Sequence, residues 1–196
     1  MQLRAGLAAV TLAITGGVVA GVPDPVVNPG FATSLDGWTV LFGRPAAWSA
    51  LDALGAPDSG SARITNELAP SNGATPLTLR QCLPASGGTG YLFAGEVLLP
   101  GGEPPSTLGQ VVVYGHDDTD CGPGITASEG LFAFGSFDTW IPVAGALSLP
   151  PGTHSLSLSL GVRKEAGVSA PASAHFDQVQ LVLDRVFRDS FDRTKF

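Results

Sequence analysis

Apolar and polar residues alternate along two late stretches of the chain. Between Thr153 and Val162, Leu156, Leu158, Leu160 and Val162 take every second position, and Ser155, Ser157 and Ser159 lie between them. A period of two sends the leucines to one face of a strand and the serines to the other. Between Phe176 and Leu183, Val179, Leu181 and Leu183 share a face with Asp177, while Gln178 and Gln180 point the opposite way. One face is expected in the core and the other in solvent, the pattern of antiparallel sheets.

Further stretches of strand character precede these, bounded by Gly, Pro, Asn or Asp. They cover Val26–Asn28, Trp38–Phe42, Ser61–Thr65, Leu77–Cys82, Tyr91–Leu99, Val111–Tyr114 and Trp140–Val143. The last is expected at an edge or strand start, because Pro142 has no amide hydrogen to give a ladder. Trp38, Phe93 and Trp140 lie within apolar strands and are expected in the core. No long helical periodicity interrupts the series. About eight or nine short strands in one domain predict an all-β fold, a two-sheet antiparallel β-sandwich of jelly-roll type.

The ends depart from this pattern. Arg4 precedes the apolar run Ala5–Ile14, and small residues follow at Val18-Val19-Ala20. This is the order of a secretory signal peptide with cleavage after Ala20. The run is too short for a bilayer span, which needs about 20 apolar residues. The expected organisation is residues 1–20 as signal peptide, 21–184 as the β-sandwich and 185–196 as a tail. That tail mixes aromatics with charges and is expected to dock through Phe187 and Phe191. A secreted location, extracellular or periplasmic, follows, with no membrane insertion after signal cleavage.

Charge narrows the partners. Ten Lys and Arg stand against 17 Asp and Glu, for a net charge of −7. Such a chain is not expected to bind nucleic acid or an anionic membrane. Only 14% of residues are charged, while Gly (26) and Pro (16) are frequent, as many turns between short strands require. The two cysteines, Cys82 and Cys121, predict a disulfide in an exported chain. The alternative, thiols at a redox or metal site, lacks a C-x-x-C motif. In the chain-entropy model a loop of about 39 residues closed in this way is worth about 4 kcal/mol.

No catalytic residue emerges from the sequence: it holds no G-x-S-x-G, H-E-x-x-H or phosphate-loop motif. His116, His154 and His175 are scattered and read as surface histidines. The loop His116–Gly122 concentrates aspartates and reads as a solvated turn, with calcium binding as the alternative. Trp48 lies outside a strong strand and Tyr114 sits beside the acidic loop. Both are candidates to stack on a sugar ring, whose CH groups meet the π-cloud. Partial burial at the sandwich edge is the competing reading.

Four segments in order resemble a known family. Asn28-Pro29-Gly30-Phe31 with Leu35-Asp36-Gly37-Trp38, then Ser59-Gly60-Ser61-Ala62, then Trp140–Val143 with Leu149–Thr153, and finally His175–Leu181 are similar to motifs of the CenC-like carbohydrate-binding modules. The resemblance runs from Asn28 to Leu183. It implies a galactose-binding-like jelly roll in a bacterial secreted protein that binds a glycan without acting on it. It also implies a structural calcium near Asn28, Gly30 and Asp177. Ala32 stands where the motif carries Glu, which removes one carboxylate from that set.

The expected function is therefore a secreted, non-catalytic carbohydrate-binding module-like protein for a poly- or oligosaccharide. The alternatives are a structural or adhesive cell-surface domain without a sugar site, and a small polysaccharide hydrolase or lyase. The concave sheet face discriminates between the first two. Aromatics flanked by polar groups favour a sugar, and a face of only small Ser, Thr and Gln favours the structural role. Paired carboxyls or a Ser-His-Asp cluster in a cleft mark the hydrolase.

Overall fold

The computed structural model describes residues 25–42, 44–68 and 76–184. The expected signal peptide and C-terminal tail lie outside the described residues. Ten strands follow in chain order. They are β1 (Thr39–Val40), β2 (Ala46–Ser49), β3 (Ser61–Asn66), β4 (Leu77–Pro84) and β5 (Gly90–Leu98). After them come β6 (Leu108–His116), β7 (Ile125–Ala133), β8 (Trp140–Ser148), β9 (Ser155–Arg163) and β10 (Ala172–Asp184). One five-stranded sheet has the order β1-β4-β9-β6-β7 and the other β2-β3-β10-β5-β8. All named strands pair antiparallel. The fold is the expected all-β sandwich.

The core lies between the inner faces. Leu79, Val111, Val113, Leu156, Leu158, Leu160 and Val162 enter it from the first sheet. Ile64, Phe93, Val97, Phe176 and Leu181 meet them from the second. Trp38 and Phe93 belong to this core, as their apolar strands predict. Trp140 does not: it is half-buried on edge strand β8, where alternation sends Val143 and Leu147 inward and leaves Trp140 outside. Pro142 on the same strand sits at the sheet edge, where no neighbour needs its amide.

Three readings change. Val26–Asn28 is a loop, not a strand, because its partner is a side chain. The Val27 amide donates to Gln81 Oε1 at 2.9 Å, and Gln81 Nε2 donates back to the Val27 carbonyl. The amide of one glutamine stands in for a neighbouring strand. The segment containing Trp48 is strand β2, paired with β3. The serine face of β9 is not solvated: Ser155, Ser157 and Ser159 are all almost fully buried. Both faces of β9 are thus covered, and each hydroxyl there has to find an internal partner or lose a hydrogen bond to water.

Leu158 is fully buried at the centre of the first sheet. Leu158→Ala is expected to lower unfolding stability by about 2–5 kcal/mol, whereas Leu92→Ala, on the exposed face of β5, changes it by less than about 1 kcal/mol. Chemical denaturation followed by circular dichroism checks both; equal losses would contradict this assignment of faces.

Candidate functional site

A cleft of about 400 Å³ opens on the outer face of the first sheet, on the side away from the core. Its floor is the polar face of three adjacent strands: Arg80 on β4, Ser157 and Ser159 on β9, and Tyr114 and His116 on β6. The register explains why they meet. Arg80 is opposite Ser159 across β4 and β9, and Tyr114 is opposite Ser157 across β6 and β9. Residues paired across antiparallel strands point to the same face.

One wall is the turn that follows β1. The Leu41 amide donates to the Thr78 carbonyl at 2.7 Å, and the Arg44 amide closes back on the Leu41 carbonyl at 3.2 Å. Phe42 adopts a left-handed φ of 57°, an uncommon conformation for a bulky side chain. That conformation leaves its ring 84% exposed at the rim of the cleft. The Arg44 guanidinium lies over the Phe42 ring, 5.2 Å from its centroid.

The other wall is the loop after β6, held by a covalent bond and by the serine floor. Cys82 and Cys121 are bridged, with Cα atoms 5.8 Å apart. The predicted disulfide is therefore present, joining β4 to the loop. Ser155 Oγ donates to the Asp118 carbonyl at 2.7 Å and accepts from the Cys121 amide at 3.2 Å. His116 Nδ1 lies 2.6 Å from the Gly122 carbonyl, and Nε2 lies 2.8 Å from Ser157 Oγ. A carbonyl only accepts, so Nδ1 carries the ring proton, and in the neutral ring Nε2 accepts from the Ser157 hydroxyl. Asp118 turns onto its own loop, where Oδ1 accepts from the amides of Asp120 and Gly122. Those bonds, chiefly that from Gly122, hold its carboxyl below the usual range. The aspartates of this loop thus build a turn.

The His116–Ser157 distance is that of a base and a nucleophile. The surroundings argue otherwise. Nδ1 faces a carbonyl where a hydrolase orients its histidine with a carboxylate, and Ser157 is 2% exposed in the middle of a strand. The pair fastens the wall to the floor. His116 and His175 are buried, contrary to the surface reading, and only His154 is exposed. His175 lies beside Ser61 on the second sheet, where burial, with Arg63 nearby, pushes its pKa down to about 4.

The two aromatic candidates part company. Tyr114 lines the cleft. Trp48 lies on β2 of the second sheet, where its indole nitrogen donates to the Phe31 carbonyl at 2.7 Å. Its ring covers Gly60 so closely that a Cβ there would come within 2.7 Å of it. The structure does not bring Trp48 and Tyr114 together. The cleft instead pairs Tyr114 with Phe42, Arg44 and Arg80, none of which stood out in the sequence. Phe42 ends an apolar run and reads there as strand interior; the following Gly43-Arg44 is the one sign of a turn.

A second cluster surrounds the closing aspartate. Strand β10 bulges between Asp177 and Gln180, and the freed Val179 amide donates to the Pro29 carbonyl at 2.8 Å. Gly30 is thereby pressed against β10: a Cβ on it would lie 3.1 Å from Gln178 Nε2 and 3.6 Å from Asp177 Oδ1. Asp177 is fully buried and accepts from the amides of Ala53 and Gln178 at 2.8 and 2.7 Å. Burial pushes its carboxyl pKa up, and the charge of Asp52 adds to the shift. Asp52 Oδ1 accepts from the amides of Leu54 and Ala56, while its buried Oδ2 has no hydrogen-bond partner. Of the three expected calcium residues, Gly30 and Asp177 meet. The Asn28 side chain closes its own turn, bonding Ser34, Asp36 and Ala32. Among the described residues no three His, Cys, Asp or Glu side chains gather at one point.

No protein-family model and no curated protein sequence matches the chain. Solved structures do. The enzymatically active domain of tailspike protein 4 from bacteriophage CBA120 aligns with a TM-score of 0.59 at 14% identity, over 82% of this chain and 21% of that one. A xylan-binding domain from carbohydrate-binding module family 22 aligns at 0.54 and 11%, over 82% and 96%. A family 16 carbohydrate-binding module aligns at 0.53 and 15%, over 81% and 99%. The chain therefore spans about a fifth of the tailspike chain and nearly all of each module. At these identities the likeness shows the fold alone: the chain shares a two-sheet jelly-roll sandwich with these structures.

Replacing both Cys82 and Cys121 by Ser is expected to remove about 2–4 kcal/mol of stability and to lower Tm by on the order of 10 °C. Differential scanning calorimetry checks this, and the unmodified chain in reducing buffer should match the variant.

Proposed function

We propose that the chain binds a poly- or oligosaccharide in the cleft of the first sheet and does not act on it. The observation that carries this reading is the composition of the cleft. The half-exposed ring of Tyr114 and the projecting ring of Phe42 flank Arg44, Arg80, His116 and two serines. Aromatic faces meet the CH side of a sugar, and the two guanidiniums meet its hydroxyls above the buried His116 and serine floor. A face of small residues alone would have favoured a purely structural role. The jelly-roll neighbours, two of them named as carbohydrate-binding modules, support the same reading. A location outside the cytoplasm agrees with the disulfide. Among the described residues no helix is long and apolar enough to cross a membrane.

The same proposal includes a structural cation at the second cluster. Asp177, Asp52 with its unpartnered oxygen, and the Gly30 carbonyl offer the hard oxygens that calcium prefers. Asp52 would supply the carboxylate that Ala32 lacks. The ion would hold the N-terminal loop against β10 and would take no part at the cleft.

Two measurements test these statements. Retention on a panel of insoluble and gel-embedded polysaccharides is expected for the unmodified chain, and Tyr114→Ala and Phe42→Ala should each weaken it about tenfold. Trp48→Ala should leave retention intact. Absence of retention across the whole panel would refute sugar binding. For the cation, saturating calcium is expected to raise Tm by about 5 °C relative to chelator, and Asp52→Asn should abolish the difference. An identical Tm with and without calcium would rule the ion out.

A further inference from the structure

The cleft runs against the charge of the chain. The protein as a whole is acidic, with a net charge of −7. Yet among the described residues the cleft lining contains two arginines and a histidine and not one Asp or Glu. Arg44 Nη1 is buried without a hydrogen-bond partner. Arg80 makes one long bond, from Nη1 to the Cys121 carbonyl at 3.4 Å. Among the described residues no carboxylate pairs with either. Acidic residues adjoin the lining in sequence, Glu67 before Leu68 and Asp117–Asp120 between His116 and Cys121, and of these the Asp118 carboxylate is committed to the amides of its own loop.

A buried donor with no acceptor is unfavourable, and a guanidinium offers five donors in a planar fork that matches an oxyanion. Neutral sugars ask for no such charge. One fork rises from strand β4 and the other from the turn after β1, and both line the concave surface to which β6 contributes Tyr114. Their placement suits a ligand that carries negative charge at repeated positions.

We propose that the cleft takes an acidic saccharide, one whose rings carry carboxylates or sulfates. Arg44 and Arg80 bind the oxyanions while Tyr114 and Phe42 meet the ring faces. The inference rests on the cleft being a saccharide site and specifies the class of saccharide. A polyanion is repelled by the rest of this acidic chain, so binding of one reports the cleft and not a general attraction.

The test compares matched polymers by calorimetry and affinity electrophoresis at near-physiological salt. The probes are polygalacturonate and the neutral galactan obtained by reducing its carboxyls, and dextran sulfate and plain dextran. The unmodified chain is expected to bind at least one charged polymer tenfold or more tightly than its neutral counterpart, and the pair that discriminates tells carboxylate from sulfate. Arg44→Gln and Arg80→Gln should each weaken that binding about tenfold, and Arg80→Lys should restore part of it. The polymer comparison needs only the unmodified protein, so it stands even if a variant misfolds. Equal binding to charged and neutral partners would overturn the acidic preference and leave a sugar site in place. Retention only on neutral polysaccharides would do the same. Failure on these four and on the wider panel would overturn the sugar site itself.

Discussion

Everything in the first sheet depends on a strand that has no solvent side. β9 buries leucines against the core and serines beneath a cover, and only its last residue, Arg163, is exposed. Apolar burial accounts for one face without further conditions. The other face imposes them, because a hydroxyl removed from water is unfavourable until it is hydrogen-bonded. Ser155 meets that condition by taking the Asp118 carbonyl and the Cys121 amide, and Ser157 by taking His116. The loop after β6 is therefore fixed to the floor of the sheet. The wall of the cleft is a consequence of satisfying the serines.

Backbone strain follows the same geography. Among the described residues six non-glycine side chains sit at positive φ. Phe42 and Cys121 stand on the two walls of the cleft, while Asn28, Phe31 and Gln178 surround the Gly30–Asp177 cluster. Only Asp138 lies elsewhere. Conformations of this kind persist where the surroundings hold them in place, and they gather at sites more than in plain scaffold. The two clusters share no residue, and they lie on different sheets. One presents a surface, and the other fastens the chain's early loop to its last strand.

Much of this was legible before any coordinates. The alternation in β9 announced its faces and the paired cysteines announced their bond, but in β10 the bulge after Asp177 resets the alternation, so that Asp177, paired with Glu96, lies on the face opposite Val179 and Leu181. The cover over the serines was not legible, because period-two patterning tells faces apart without saying what lies on each. β7 was missed because its edge position leaves most of Ile125–Ala133 at least partly exposed, so Thr, Ser, Glu and Gly interrupt any apolar rhythm. β2 was missed because Ala46 and Ala47 carry little hydrophobic signal. Val26-Val27 was misread for the opposite reason: it has a strand's composition, but a glutamine side chain serves as its neighbour. Of the cleft, Tyr114 was visible beside an acidic loop. Phe42, Arg44 and Arg80 come from separate segments that meet only when β1, β4 and the turn between β1 and β2 assemble, and no local motif records such a meeting.

The Cys82–Cys121 bond closes a ring that passes through both sheets, from β4 by way of β5 to the end of β6. Its mechanical consequence differs from its effect on equilibrium stability. If a chain anchored to a polymer is pulled from its ends, the ring keeps roughly 130 Å of contour length from paying out, at about 3.4 Å per residue. The extension available before the backbone itself bears the load is shorter by that amount. Of the residues that line the cleft, Tyr114 and His116 lie on this ring and are shielded from tension, while Phe42, Arg44, Arg80 and the β9 serines lie outside it and stay on the loaded path.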